Sequence, residues 1–183
     1  MFEFIADHPV LDFVATVAER RTTRYEQLRS PEDLTAWVAQ SGLVEKEVAV
    51  DGAGFGRALE VREAAFDLLS GLIDGTRPDP EALAVVQAAA AGRPVALQLD
   101  ADGRLHRHGD LDAVLTELAR DCLALFGSPD RAALHWCADA ACTRPFIDRS
   151  RGHRRRWCGM KGCGDRAKAA AYRQRLRAAA PAP

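Results

Sequence analysis

Four of the five cysteines in this 183-residue chain are Cys137, Cys142, Cys158 and Cys163, in a C-x4-C-x15-C-x4-C pattern. No other feature so narrows what the chain can fold into. The segment around them is nearly bare of apolar material: only Trp136, Phe146, Ile147 and Trp157 are available to pack. Burial alone cannot offset the entropy of ordering such a piece. Two short knuckles, each with two thiolates, supply the missing stability by meeting at the tetrahedral corners of a zinc ion. Structural zinc contributes on the order of 10–16 kcal/mol in small peptides. The competing readings are a redox couple or unrelated buried thiols. Redox pairs favour C-x-x-C beside a βαβ unit, which the sequence lacks, so zinc is the stronger reading. Four cysteines leave no open coordination position. The predicted cofactor is therefore one structural Zn2+, held by Cys137, Cys142, Cys158 and Cys163.

The residues between the ligands fit this role. Gly159, Gly162 and Gly164 let the second knuckle turn tightly. Nearby Arg and Lys ease thiolate formation, as does a helix N-terminus expected at Cys163. His135 and His153 lie close enough in sequence to substitute as ligands, but four cysteines make that unnecessary. Cys122 falls on the apolar stripe of a predicted helix and reads as a buried, inert thiol. His106 and His108 alternate on a predicted strand. A surface strand explains them better than a weak metal site does.

Charge divides the chain at the same place. Residues 131–183 hold 13 Lys+Arg against 3 Asp+Glu, a net +10, while residues 1–130 hold 12 against 23, a net −11. A split this sharp points to a polyanionic partner for the C-terminal part. It also suggests that the acidic part docks on the basic part and masks it. The start, "MFEFIADHPVLDF", has no basic n-region, and the most apolar run, "ALAVVQAAAAG", is too short to span a bilayer. The expectation is a cytoplasmic protein without membrane contact.

The acidic part reads mostly as helix. "HPVLDFVATVAER" spaces Val10, Phe13, Val14 and Val17 helically. In "SPEDLTAWVAQSG", Ser30 can cap, Pro31 takes the first helical position and Gly42 can end the helix. "FGRALEVREAAFDLLSGLIDG" and "DPEALAVVQAAAAG" follow as helices. The preceding "DGAGFG" at 51–56 reads as a flexible loop, since no strand precedes it and no Lys-Ser/Thr follows. "PVALQLDADGRLHRHG" alternates through Val95, Leu97 and Leu99 about a turn, which predicts one small β-hairpin. "DLDAVLTELARDCLALFG" sets Leu111, Val114, Leu115, Leu118, Cys122 and Leu125 toward a core. The predicted fold is mainly α. A helical N-terminal domain with one small β-hairpin occupies 1–128, a small treble-clef-like zinc finger with four cysteine ligands occupies 129–178, and a disordered tail occupies 179–183.

At this point the residues resemble a known family. "LHWCADAACTRPFIDRSRGHRRRWCGMKGCGDRAK" is similar to the CGNR-type zinc finger, through Phe146, Asp148, Ser150, Arg155, Arg156, Trp157, Cys158, Met160, Cys163, Gly164, Arg166 and Lys168. "LDFVAT" at 11–16 and "SPEDLTAWVAQSGL" at 30–43 resemble its helical companion, the ABATE domain. The resemblance implies a bacterial stress-induced transcription regulator whose finger meets DNA and whose helical domain senses or dimerises. Two positions depart from the family pattern. Asp165 stands for the signature asparagine, which keeps a helix cap but sets a carboxylate near phosphate. Ala15 stands for the asparagine before Thr16, so that amide's contacts are lost.

Independently of the resemblance, the arginine-rich finger favours nucleic acid. The candidate DNA contacts are Arg154, Arg155, Arg156, Lys161, Arg166, Lys168, Arg173, Arg175 and Arg177, with Arg166, Lys168 and Arg173 placed to read bases. The expected function is a DNA-binding transcriptional regulator, and the alternative is a zinc-stabilised protein-interaction module without sequence-specific DNA binding. Expected partners are double-stranded DNA, a small-molecule effector and a second copy in a homodimer, since one finger has a small footprint. No enzyme is expected: His8, Asp12 and Asp33 sit at helix starts or ends, where capping explains them.

Overall fold

Short oxygen-bearing side chains set where the helices begin. The computed structural model describes residues 2–179. After a short helix α1 (Pro9–Val14), Ser30 opens α2 (Pro31–Ser41) by accepting from the Asp33 amide at 3.3 Å, and Gly42 ends it in the left-handed conformation. Asp51 caps α3 (Gly52–Asp74) through the Gly54 amide at 2.7 Å. Asp79 caps α4 (Pro80–Ala90), and Asp110 caps α5 (Leu111–Gly127). The chain then passes through the second knuckle, Met160–Gly164, into α6 (Asp165–Ala179). Three antiparallel strand pairs lie between: β1 (Val17–Ala18) with β2 (Tyr25–Glu26), β3 (Ala96–Leu99) with β4 (Leu105–His108), and β5 (Leu134–Trp136) with β6 (Pro145–Ile147).

The mainly helical architecture agrees with the sequence reading, and four details differ. The first helix stops at Val14, because Thr16 turns its hydroxyl back onto the Phe13 carbonyl at 2.7 Å and the chain leaves as β1. "DGAGFG" is the first turn of α3, not a loop. Once Asp51 caps it, glycine is an asset there, because a Cβ on Gly54 would stand 2.7 Å from Leu111 Cδ2. Of the alternating hairpin residues, Val95 is buried but Leu97 and Leu99 face solvent, since no second layer among the described residues covers β3. Helix α6 runs through Ala179, the first residue of the expected tail; residues 180–183 lie outside the described residues, as does the Arg177 side chain.

Two apolar cores hold the helices. One is built on Phe13, Trp37, Val38, Leu115 and Leu118, where α1, α2, α3 and α5 meet. The other joins Leu11, Val14, Leu68, Leu69, Val86, Cys122 and Leu125, and it takes in Leu134 of β5 and Ile147 of β6. The finger's hairpin is thus rooted in the core of the helical part. Burying each such Leu or Ile contributes about 1.5–3 kcal/mol. Cys122 is buried as expected, and burial pushes its thiol up to about 12. No helix among the described residues is long and apolar enough to cross a membrane.

Candidate metal centre

The first knuckle is the turn joining β5 to β6. Its chain reversal is fixed by the Cys142 amide donating to the Asp139 carbonyl at 2.9 Å and the Cys137 amide donating to the Arg144 carbonyl at 3.2 Å. The second knuckle closes with the Gly164 amide on the Gly159 carbonyl at 3.1 Å. Gly162 takes φ +90°, which a side chain rarely adopts, and a Cβ on Gly164 would press to 3.0 Å from Met160 Sδ. Glycine is required at Gly162 for the knuckle to form, while at Gly164 a side chain would push Met160 aside.

The two knuckles bring all four sulfurs within 4.8 Å of one another. Cys158 Sγ lies 3.7 Å from Cys142 Sγ and 3.8 Å from Cys163 Sγ. A Zn–S bond of about 2.3 Å in a tetrahedron gives sulfur–sulfur edges of ~3.8 Å. The donor set therefore fits one zinc ion in number, chemistry and spacing. The Cys158 amide points at Cys137 Sγ (3.5 Å) and Arg166 Nη2 at Cys163 Sγ (3.1 Å), the donors that sulfur ligands take from their surroundings. Without a cation four such thiols cannot ionise together. Hydrogen bonds from Cys142 and Cys158 hold Cys137 down, while Cys142 and Cys158 are raised, chiefly by Cys137, and burial pushes Cys163 up to about 12. A divalent metal resolves that conflict. Phe146, Trp157 and Ile5 pack around the sulfurs.

The loop between the knuckles is organised by Asp148, a buried carboxylate that accepts from the Ser150 amide at 2.9 Å and the Arg155 amide at 2.8 Å. The Ser150 hydroxyl and these amides hold its pKa below the usual carboxylate range. The loop turns Arg155 inward. Its guanidinium stacks 4.7 Å from the Phe146 ring centroid and donates to the carbonyls of Trp157, Ile5 and Cys158. Arg166 is likewise engaged, by Asp139 at 2.8 Å as well as by Cys163. Lys168 lies 3.9 Å from Asp165. Arg154, Arg156, Lys161, Arg173 and Arg175 are exposed and make no ion pair among the described residues. His135 and His153 are not among the clustered ligands; His153 Nδ1 meets the Asp148 carbonyl instead.

A strap of N-terminal residues crosses from the helical part to the finger. Phe4 lies tilted against Trp37, Ile5 packs beside the cysteines, Glu3 pairs with Arg144 at 2.6 Å, and Asp7 and Asp130 both pair with Arg149. Asp12, buried near the start of α1, fixes the strap by accepting from the Ile5 and Ala6 amides. The acidic part therefore does dock on the finger, but through Arg144 and Arg149. Among the described residues it forms no ion pair with Lys161, Arg166, Lys168, Arg173 or Arg175. Sequence reasoning did not single out Glu3, Asp7 or Asp130 as partners of the finger. Their only signal was the reciprocal charge of the two parts.

Two family models match the chain. The ABATE model, described as "putative stress-induced transcription regulator", matches residues 7–129. The CGNR zinc finger model matches residues 134–176. No curated protein matches it.

Proposed function

The chain belongs to the ABATE family and ends in a CGNR zinc finger, and on that premise we propose that it is a transcription regulator that binds double-stranded DNA. One observation carries the reading. Zinc and the hairpin root fix a rigid scaffold on which Arg154, Arg156, Lys161, Lys168, Arg173 and Arg175 all stand exposed, while Arg144, Arg149 and Arg155 face inward or toward the helical part. A preorganised cation cluster of this kind positions phosphates without ordering each side chain separately. The Asp165 carboxylate at the start of α6 weakens one corner of that field and is partly offset by Lys168. Zinc here is structural: it orders the finger and does no chemistry. The helical part serves as the regulatory module, answering an effector or pairing two copies on a two-fold site.

Fluorescence anisotropy with random duplex DNA across a salt series tests the reading. Engaging about five phosphates should give a log–log salt slope near −4 to −5. Removing zinc with a strong chelator should abolish the binding. Absence of binding at low salt with zinc present would sink the proposal.

A further inference from the structure

Helix α6 stands apart from the molecule. Among the described residues its one extensive contact is with the knuckle that precedes it. Yet it holds two large apolar side chains in water, Tyr172 at 57% and Leu176 at 54% exposure. Neither supports the finger's core, which Phe146, Trp157 and Ile5 complete. Single exposed apolar residues are ordinary, but these two share a pattern. At about 100° per residue, Ala169, Tyr172 and Leu176 fall on one stripe of the helix. Lys168 and Arg175 border that stripe on one side, and Arg173 with Arg166 on the other.

An apolar line between two rows of cations restricts the occupant. A second copy of the helix would set cations against cations. An apolar stripe one residue wide is too narrow to anchor a helix in a lipid interface, which needs a broad apolar face. A duplex major groove has the complementary cross-section: a floor of base edges between two phosphate rows, wide enough for a helix. The one apolar group on that floor is the thymine methyl. Resting on the DNA-binding reading, we propose that Tyr172 and Leu176 are specificity-determining residues that contact thymine methyls, while Lys168, Arg173 and Arg175 hold the flanking phosphates. This moves base reading from Arg166, which Asp139 and Cys163 restrain, to the apolar stripe.

The test uses the full-length, zinc-loaded chain and two duplexes, one of alternating A·T pairs and the same duplex with deoxyuridine for thymine. Each methyl lost from an apolar contact should weaken binding about fourfold. Leu176→Ala and Tyr172→Ala, at exposed positions, should keep one zinc per chain, bind the thymine duplex more weakly and lose the discrimination between the two duplexes. Equal wild-type affinity for both duplexes would overturn the proposal and leave DNA binding standing. An equal loss on both duplexes in the Leu176→Ala variant would overturn it too, as would a lower association state in sedimentation, which would assign the stripe to a second copy. If the wild-type chain binds neither duplex, the DNA-binding reading itself fails, and this proposal with it.

Discussion

Arg62, at 2% exposure, is the most consequential single residue outside the finger. Its guanidinium reaches Glu26 through two bonds of 2.8 and 2.6 Å, Glu63 at 2.9 Å and the Thr16 hydroxyl at 3.0 Å. It thereby ties the α1–β1 turn to the middle of α3. Replacing it leaves Glu26 facing a buried site without its cation and takes from Glu63 one of its three, the others being Arg20 and Arg24. Breaking a buried pair costs about 3–5 kcal/mol, and the partial exposure of both glutamates places Arg62→Met near the lower end, about 3 kcal/mol by urea unfolding. Glu63 reports the same network. Burial alone would raise its pKa, yet the Arg20 hydrogen bond and charge, with Arg62 and Arg24, hold it at about 2. A carboxyl depressed in the fold contributes stability that is complete above its ordinary value near 4.5 and is lost as pH falls toward about 2. Glu63→Gln should therefore lower stability at pH 7 and flatten the acid limb of stability against pH below 4.5; an unchanged acid limb would show that the network contributes nothing.

The hairpin β3–β4 illustrates control at the scale of an element. Its outer leucines are uncovered, so packing gives it little hold on the molecule. His106 supplies one: Nε2 meets Asp100 at 2.9 Å, Nδ1 meets Glu45 at 2.9 Å, and the Glu45 amide donates to the Arg107 carbonyl at 3.1 Å. Asp100 first, then Glu45, raises the His106 pKa above 6.5. A cation favoured in the fold contributes stability that is fully present below 6.5 and fades as pH rises through the raised folded value. Hairpin amide protection should therefore fall across that window in the wild type and stay flat in His106→Gln. Hydrogen exchange measured from pH 6 upward, in steps of about one unit, checks this.

At the scale of the whole molecule, the finger and the helical part share structure. Leu134 and Ile147 sit in the helical core, Trp136 donates to Asp74 at 2.8 Å, and the strap from Glu3 to Asp7 spans both. Zinc removal is then felt beyond the knuckles. Calorimetry should show a lower melting temperature for the entire chain on chelation, within one cooperative transition. A transition of the helical part that ignores zinc would show that the two parts melt separately. Leu134→Ala, which opens a cavity where the parts meet, should cost about 2–5 kcal/mol.

The zinc ligands, the caps at Ser30 and Gly42, the core stripe of α5 and the mainly helical class were legible in the residues alone. Each rests on short-range chemistry: ligand type and spacing, a side chain reaching its neighbour's amide, or a repeat of 3.6. What tertiary structure alone decided lies between distant segments. A lone Asp51 cap and the nearness of Leu111 made a helix of the glycines at 52–56. The fold of the loop around Asp148 turned Arg155 inward, and Asp139 tied down Arg166, whereas composition counted every arginine alike. Nothing among the described residues covers Leu97, Leu99, Tyr172 and Leu176, which stand exposed. Sequence encodes which groups can bind zinc, cap or pack. Which face meets which partner depends on where the chain returns, and that depends on contacts more than a hundred residues apart, such as Glu3 with Arg144 and Ile5 with Arg155.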